Sequence, residues 1–421
     1  MNYYRFPDKT GFKVCFMVYL LAVQLLARSS MVTSVFLDFM PSQFLMIGLI
    51  LAAGVVFLLY NRRSLKQILS DRRILAVIAV TVLVMGVMLL KRDMQMLYFS
   101  ILLYMYFAIF INFFLPLQEA ARYYVVMIFA LSAYALLGQF VLKPMVHMGL
   151  LPRLEFNSPG GWHMFNFGLA FTVDKNTENV NALRLFGIFR EPGLYQIFLF
   201  IAIQLNNYTV QWKKQWQMWA VNLVLFAALL ITFATGGVIA LALYIVFLFF
   251  DKKLYRDRRI CILAAAAVAA GVGALIYALA QGGTWALELV WMIQKIIEGS
   301  DSYTDRVTSI FVNAEIFLKH PFVGDKISDV LHSVPNNTAS SPILFASFGI
   351  VGGLLHVASW VALVWRKERS VLMNLILMVI VFVPFNTQNV IHDMFFWMFP
   401  IMALTERGLP LISKGRIAKK E

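Results

Sequence analysis

The chain has very few cysteines and very little charge. Its two cysteines, Cys15 and Cys261, both fall within apolar runs and lie far apart in the sequence. This placement predicts neither a disulfide framework nor a metal site, and we interpret both as small buried residues. Charged residues make up 14% of the chain, whereas a soluble globular protein carries about a quarter. The composition therefore argues against a soluble domain.

Acidic residues are also scarce, with 22 against 36 basic ones, which gives a net charge of +14. Such an excess can indicate nucleic-acid binding, but here the basic residues lie between apolar runs, where the positive-inside rule predicts them. We therefore expect no nucleic acid among the partners. The sequence also lacks a P-loop, an HExxH or CxxC motif, and an acidic pair suited to holding a metal with a nucleotide sugar.

Long apolar runs are abundant. Hydrophobic residues make up 61% of the chain, and the mean hydropathy is +0.75. A helix of about 20 apolar residues crosses the hydrocarbon layer of a bilayer. The sequence predicts an all-α, polytopic membrane protein with about twelve spans in one integral membrane domain, residues 1–421. The candidate spans are 13–28, 43–60, 74–90, 95–115, 123–142, 192–208, 217–233, 236–250, 260–280, 341–364, 371–386 and 390–405.

Dense basic clusters at 61–73 and 251–259 set the orientation, because such clusters stay in the cytoplasm. Both termini are then cytoplasmic, and two long loops, 143–191 and 281–340, lie outside. The stretch 284–299 has apolar residues at helical spacing. It predicts a helix that either lies on the outer membrane surface or packs on other spans. The cytoplasmic segments are too short for a catalytic domain, so any enzymatic site faces outward.

Two arginines in these outer regions are candidate functional residues. Arg190 precedes Glu191 and Pro192 at the start of the sixth span, and a cation entering a membrane helix is costly unless it has a function. The alternatives are snorkelling or a structural pair with Glu191. Arg306 follows Asp305, and its alternative is a surface ion pair with that neighbour.

His332 is the candidate base, because histidine ordinarily titrates near neutral pH. It lies in a polar turn that leads into a glycine-rich span, and its alternative is a solvated loop histidine. Further substrate-binding candidates stand beside these residues or in the same segments. They are Glu191, Lys319, His320, Asn336 and Asn337.

Several segments, taken in order, resemble the superfamily of O-antigen polymerases and O-antigen ligases of bacterial envelopes. They are FREPG at 189–193, TFATGG at 232–237, DRVTSIFVNAEIFLKHPFVGD at 305–325 and NNTASSPILFASFGIVGG at 336–353. The resemblance implies a metal-independent glycosyltransferase without a cofactor, whose external arginines, Arg190 and Arg306, hold a lipid diphosphate. Family ligases commonly carry His-Asn before the glycine-rich span. Here that point reads Asn336-Asn337 and the histidine stands earlier, at His332.

The resemblance implies a multi-pass protein of the bacterial cytoplasmic membrane that polymerises undecaprenyl-diphosphate-linked oligosaccharide repeat units into surface polysaccharide. Its implied partners are that glycan donor, a glycan acceptor, membrane lipid, a chain-length regulator and a flippase. Two alternatives stay open. One is a ligase that transfers finished glycan to its acceptor, and the other is a flippase or transporter of lipid-linked oligosaccharide. A transporter is expected to carry charges deep within its spans, whereas the charges here cluster in the outer loops.

Overall fold

The computed structural model describes residues 10–37, 39–60, 71, 73–158, 162–175, 183–281, 290, 294, 301–335 and 337–408. About 75% of the structure is helical, as the composition predicts. The predicted surface helix at 284–299 lies outside the described residues, apart from positions 290 and 294.

Within the described residues, twelve of the helices coincide with the predicted apolar runs. They are α1 (Thr10–Leu26), α3 (Phe39–Tyr60), α4 (Arg73–Lys91), α5 (Met96–Phe114), α6 (Leu117–Leu137), α8 (Pro192–Tyr208), α9 (Gln215–Ile231), α10 (Thr235–Asp251), α11 (Arg258–Gln281), α14 (Ser340–Val364), α15 (Val371–Phe385) and α16 (Met394–Ala403). The others are α2 (Met31–Val35), α7 (Lys143–His147), α12 (Asp301–Lys319) and α13 (Ile327–His332). Single π-helical turns follow α6 and α16, at Gly138–Leu142 and Leu404–Gly408.

Five of the described helices are long and apolar enough, by length and composition, to cross a membrane. They are Pro41–Leu59, Arg73–Lys91, Met96–Phe114, Leu117–His147 and Ser340–Val364. Four other apolar helices are shorter, with 15 to 17 residues, namely α1, α9, α10 and α15. The chain therefore has the features of a helical membrane protein.

Two helices form the centre of the packing. Every residue of α8 from Pro192 to Asn207 is buried, as is every residue of α16. Helix α16 is apolar on all sides and needs such a position, whereas α8 also buries the polar residues Gln196, Gln204 and Asn206. The helices around them expose leucine, isoleucine and valine on their outer faces, a surface suited to lipid. Cys15 lies on such a face, so the prediction that it is buried is wrong, whereas Cys261 is partly buried.

A four-stranded antiparallel sheet occupies the 143–191 loop, where the sequence patterns predict no strands. Its strands are β1 (Glu155–Asn157), β2 (His163–Asn166), β3 (Phe171–Lys175) and β4 (Leu185–Gly187), paired in that order. The sheet covers its own small core, formed by Met31, Met164, Phe171, Val173 and Phe186. Strands of three to five residues are too short for an alternating pattern to stand out.

A backbone kink in α14 allows this helix to form hydrogen bonds with residues 321–325, the segment that follows α12. Gly349 adopts φ 63° and ψ −164° within α14, a conformation that is essentially restricted to glycine. The kink lets Ile350 N–H donate to the Pro321 carbonyl and Asp325 N–H donate to the Ala346 carbonyl, each at 2.7 Å. The glycine therefore shapes the backbone at a point where the sequence suggests only close helix packing.

Candidate functional site

A cavity of about 760 Å³ opens where several connecting segments meet the buried helices. It is lined by Arg28, Arg190, Glu191, Asp305, Arg306, Leu331, His332, Pro335, Asn337, Thr338, Gln388, Asn389 and His392. These residues come from the end of α1, the start of α8, helices α12 and α13, and the α15–α16 connection. The cavity therefore collects three arginines and two histidines from distant parts of the chain.

Backbone pairing places Arg190 beside the end of α1. Arg190 N–H donates to the Ser29 carbonyl at 2.9 Å, and Met31 N–H donates to the Ile188 carbonyl at 2.8 Å. This short antiparallel contact joins the residues after β4 to those after α1. It brings Arg28 and Arg190 close enough for their charges to repel. The buried carboxylate of Asp393 lies near both arginines and offsets part of this repulsion.

The Glu191 carboxylate lies near both Arg190 and Arg306. It is 3.9 Å from Arg190 Nε, a long ion pair, and it accepts a 3.2 Å hydrogen bond from Gln388 Nε2. Burial lowers the pKa of the Arg306 guanidinium, and the charge of Glu191 raises it. Within the described part of the chain, Nε of Arg190 and Nε of Arg306 are both buried and have no hydrogen-bond partner. Buried donors of this kind are usually satisfied by a partner, which a bound anion can supply.

The geometry of His332 leaves one ring nitrogen free to accept a proton. Its Nδ1 lies 2.7 Å from the Ser328 carbonyl oxygen, which can only accept. Nδ1 therefore carries the hydrogen, and Nε2 holds the lone pair. The first residue of α13, the helix that carries His332, is held by Asp93. The Asp93 carboxylate accepts from Ile327 N–H at 3.0 Å and from the Tyr98 hydroxyl at 3.1 Å.

A second histidine, His392, lies against Arg28. Arg28 Nη1 is 3.2 Å from His392 Nε2, and a guanidinium can only donate, so His392 accepts through Nε2. The neighbouring Asp393 is buried and accepts from the Ser29 hydroxyl at 2.6 Å. The α15–α16 connection is thereby attached to the end of α1, and Arg28 is oriented at the wall of the cavity.

A second cavity, of about 470 Å³, shares a wall with the first. The two have Arg190, Glu191, Arg306 and Gln388 in common. The second is also lined by Ser34, Trp162, Arg184, Pro192, Gly193, Gln196, Phe233, Ala234 and Thr235. The TFATGG segment forms part of this wall. A Cβ at Gly237 would overlap the side-chain oxygen of Gln196, so only glycine leaves room for that amide.

An apolar groove of about 370 Å³ lies further along α12, on the helix face that also carries Arg306. It is lined by Ile310, Asn313, Ala314, Phe317, Ser341, Pro342, Phe345, Val357, Phe382 and Asn386. Asn313 belongs to this groove, and Asn337 belongs to the first cavity. Their amides exchange two hydrogen bonds, of 2.8 and 3.1 Å. The groove and the cavity are therefore separated by one pair of side chains.

The structure brings together most of the residues proposed from the sequence. Arg190, Glu191, Arg306, His332 and Asn337 all line the first cavity. The amide of Asn337 is engaged, because it also donates to the Val330 carbonyl at 2.7 Å, so it supports the turn. Asn336 lies outside the described residues.

Two of the proposed residues lie elsewhere. Lys319 pairs with Glu315 at 2.7 Å on an exposed face of α12, and His320 lies 4.0 Å from Asp325. Neither lines either cavity. Position 319 is 13 residues beyond Arg306, which places it on roughly the opposite face of the helix and about 20 Å further along its axis.

Wall residues that were not predicted from the sequence include Arg28, Trp162, Arg184, Gln196, Gln388 and His392. Arg28 could have been predicted, because it is a second arginine at the predicted outer end of an apolar run, like Arg190. The others carried no signal, because single polar or aromatic residues in a connecting segment, and a glutamine within a helix such as Gln196 on α8, are ordinary. Within the described ranges, no group of three histidine, cysteine, aspartate or glutamate side chains could hold a metal ion.

In comparisons with known proteins, no family model, no curated protein and no solved structure matches the chain.

Proposed function

We propose that the protein is a glycosyltransferase that polymerises polyprenyl-diphosphate-linked oligosaccharide units at the outer face of the bacterial cytoplasmic membrane. The observation that carries the proposal is the first cavity, where Arg190 and Arg306 have buried Nε donors without a hydrogen-bond partner among the described residues and His332 presents a free Nε2. Guanidinium groups bind diphosphate through paired hydrogen bonds and keep their charge. The twelve-span topology with both termini in the cytoplasm belongs to the same proposal.

The proposed reaction is a displacement at the anomeric carbon of the donor sugar. The acceptor hydroxyl oxygen forms the new bond to this carbon, while the bond to the diphosphate oxygen breaks. The proton of the hydroxyl passes to His332 Nε2, and the diphosphate leaves with the bonding electron pair. Arg190 and Arg306 stabilise the charge that develops on the leaving group, an effect that is usually large in a preformed site.

The apolar groove supports a lipid-linked substrate. A substrate with a charged head and an isoprenoid tail needs a polar cavity beside an apolar surface, and here one asparagine pair separates the two. In this arrangement the tail lies along α12 and the diphosphate lies at the arginines. A transporter remains the second candidate class, and the transfer reaction below separates the two.

The test is an assay with purified protein in liposomes that contain undecaprenyl-diphosphate-linked repeat units. Without nucleotide, longer lipid-linked glycans are expected, and each transfer should release one undecaprenyl diphosphate. A ligase would consume the lipid-linked units only when its final acceptor is added. Movement of the units across the bilayer without any new glycosidic bond would contradict the proposal and identify a transporter.

A further inference from the structure

The second cavity is lined by polar and aromatic side chains to which the proposed diphosphate transfer gives no role. It adjoins the first cavity at Arg190 and Arg306, so a group held by these arginines borders both spaces. His332 lines the first cavity and is not among the residues of the second. The acceptor hydroxyl must reach His332, so the acceptor belongs in the first cavity and the sugar of the donor belongs in the second.

Gln196 lines the second cavity and has a side-chain acceptor without a partner among the described residues. Its side chain is only 2% exposed, and its Nε2 donates to the Thr387 hydroxyl at 2.8 Å. Its Oε1 is buried and has no hydrogen-bond partner in the part of the chain that the structure describes. A buried acceptor left unpaired is costly. A sugar hydroxyl would satisfy it, whereas a phosphate oxygen, itself an acceptor, would not.

Trp162 supplies an aromatic surface at the same cavity. Its ring lies edge-to-face against Phe186, with ring centroids 4.7 Å apart and an interplanar angle of 81°. Phe186 belongs to the small core beneath the sheet, so the indole is held on a rigid support. Ligand sites of this kind combine an aromatic wall with a few fixed polar groups. Ser34 and Thr235 add hydroxyl groups to the wall.

Arg184 also lines the second cavity and could in principle attract an anion there. Its Nε donates to the Thr232 carbonyl at 3.1 Å, and its Nη2 lies 3.5 Å from the Phe233 carbonyl. These contacts fix the end of α9 and the break before α10. We therefore assign Arg184 a structural role in the wall of the second cavity. The Gln196 oxygen, which has no partner among the described residues, and the Trp162 ring are the features that would contact a ligand.

We propose that the second cavity is a saccharide subsite that receives the sugar attached to the donor diphosphate, with Trp162 and Gln196 as the recognising side chains. The proposal rests on the proposed function, because the shared arginines must hold the diphosphate. It adds a residue-level basis for donor specificity, with one recognising residue in the β-sheet loop and the other on α8.

The test compares two probes on the full-length protein in nanodiscs. One is undecaprenyl diphosphate, and the other is the lipid-linked repeat unit extracted from a strain that lacks the gene. Trp162→Ala and Gln196→Ala should each weaken binding of the glycosylated lipid about tenfold and leave binding of undecaprenyl diphosphate unchanged. Trp162→Phe should lose less, since it keeps an aromatic ring.

Phe156→Ala is the matched control, because Phe156 packs on the same small core and does not line the cavity. It should bind both lipids like the wild type. Equal weakening of both lipids by Trp162→Ala and Gln196→Ala, or no change in either variant, overturns the saccharide subsite and leaves the proposed function standing. If the wild type binds undecaprenyl diphosphate no better than undecaprenol, the proposed function itself fails.

Discussion

Arg306 combines a helix position, partial burial and an unpaired donor in one side chain. It lies in the first turns of α12, its Nε is buried without a partner among the described residues, and Glu191 stands near it. A guanidinium in that setting is poised for an oxyanion, and it is the residue on which the proposed leaving-group stabilisation most depends.

Arg306→Ala should therefore lower the rate of glycan transfer by about 100-fold or more, as the loss of one preorganised donor typically does. Arg306→Lys should recover only part of the rate, because an ammonium lacks the planar fork. Transfer in reconstituted liposomes measures both. Arg153→Ala is the control, since Arg153 is exposed and lies outside both cavities. Wild-type transfer by Arg306→Ala would remove this arginine from the mechanism.

His332 is tested separately, because its Nε2 is the proposed base and its Nδ1 is hydrogen-bonded to the Ser328 carbonyl. His332→Ala should reduce transfer by about 100-fold or more without weakening the binding of undecaprenyl diphosphate.

His320→Ala is the control for His332, and it also tests the placement of His320 outside the cavity. It should transfer at the wild-type rate. If His320→Ala were inactive and His332→Ala active, the assignment of the base would be reversed.

Several individual residues of the cavity could be proposed from the sequence, and the structure brings them together. Arg190 stood out because a cation entering a membrane helix is costly, and that cost does not depend on knowing the fold. Arg306 was proposed from the resemblance, and His332 from the near-neutral pKa that histidine ordinarily has. Lys319 and His320 were chosen by proximity in sequence, and they lie about 20 Å from Arg306 along the axis of α12, at its far end. Gln196 could not be chosen, because its unpaired oxygen is a property of the packed structure.

At the scale of elements, the kink of α14 positions α12 and α13 over the cavity. Gly349→Ala puts a Cβ against the Phe322 carbonyl and forces a conformation restricted to glycine. The variant should lose about 1–3 kcal/mol of stability, or more if the backbone cannot shift. Thermal unfolding in detergent should show a lower Tm, and transfer should fall with it.

Gly271→Ala is the matched control for Gly349→Ala. Gly271 lies within α11, and nothing lies within 4 Å of a Cβ added there. Alanine is the better helix former, so the Tm should be unchanged or higher. Equal Tm values for the two variants would show that the kink does not need glycine.

The four short strands of the sheet could not be predicted from local sequence patterns. The long helices were predictable because an apolar run near 20 residues seldom forms anything except a membrane-crossing helix. The strands β1 to β4 form from three to five residues each, and their stability comes from Met31 and Phe186, which lie far apart in the chain. Such pairing is a tertiary effect that a local pattern does not encode.

For the whole molecule, the proposed function requires that α12 and α13 face outward and that the segment after α10 faces the cytoplasm. Cys15 and Cys261 are first replaced by serine, and single cysteines are then placed at Lys326 or Arg256, both exposed. A membrane-impermeant thiol reagent should label Lys326→Cys in intact cells and Arg256→Cys only after permeabilisation. Labelling of Arg256→Cys in intact cells would invert the proposed topology.

The most direct test of the polymerase proposal is the glycan profile of a strain that lacks the gene, measured by gel analysis of both surface glycan and extracted lipid-linked glycan. We expect single repeat units on the surface acceptor with no ladder, restored by the wild-type gene but not by Arg306→Ala. Long chains left on the lipid carrier would identify a ligase instead. An unchanged ladder, or repeat units trapped on the cytoplasmic face, would contradict a polymerase at the outer cavity.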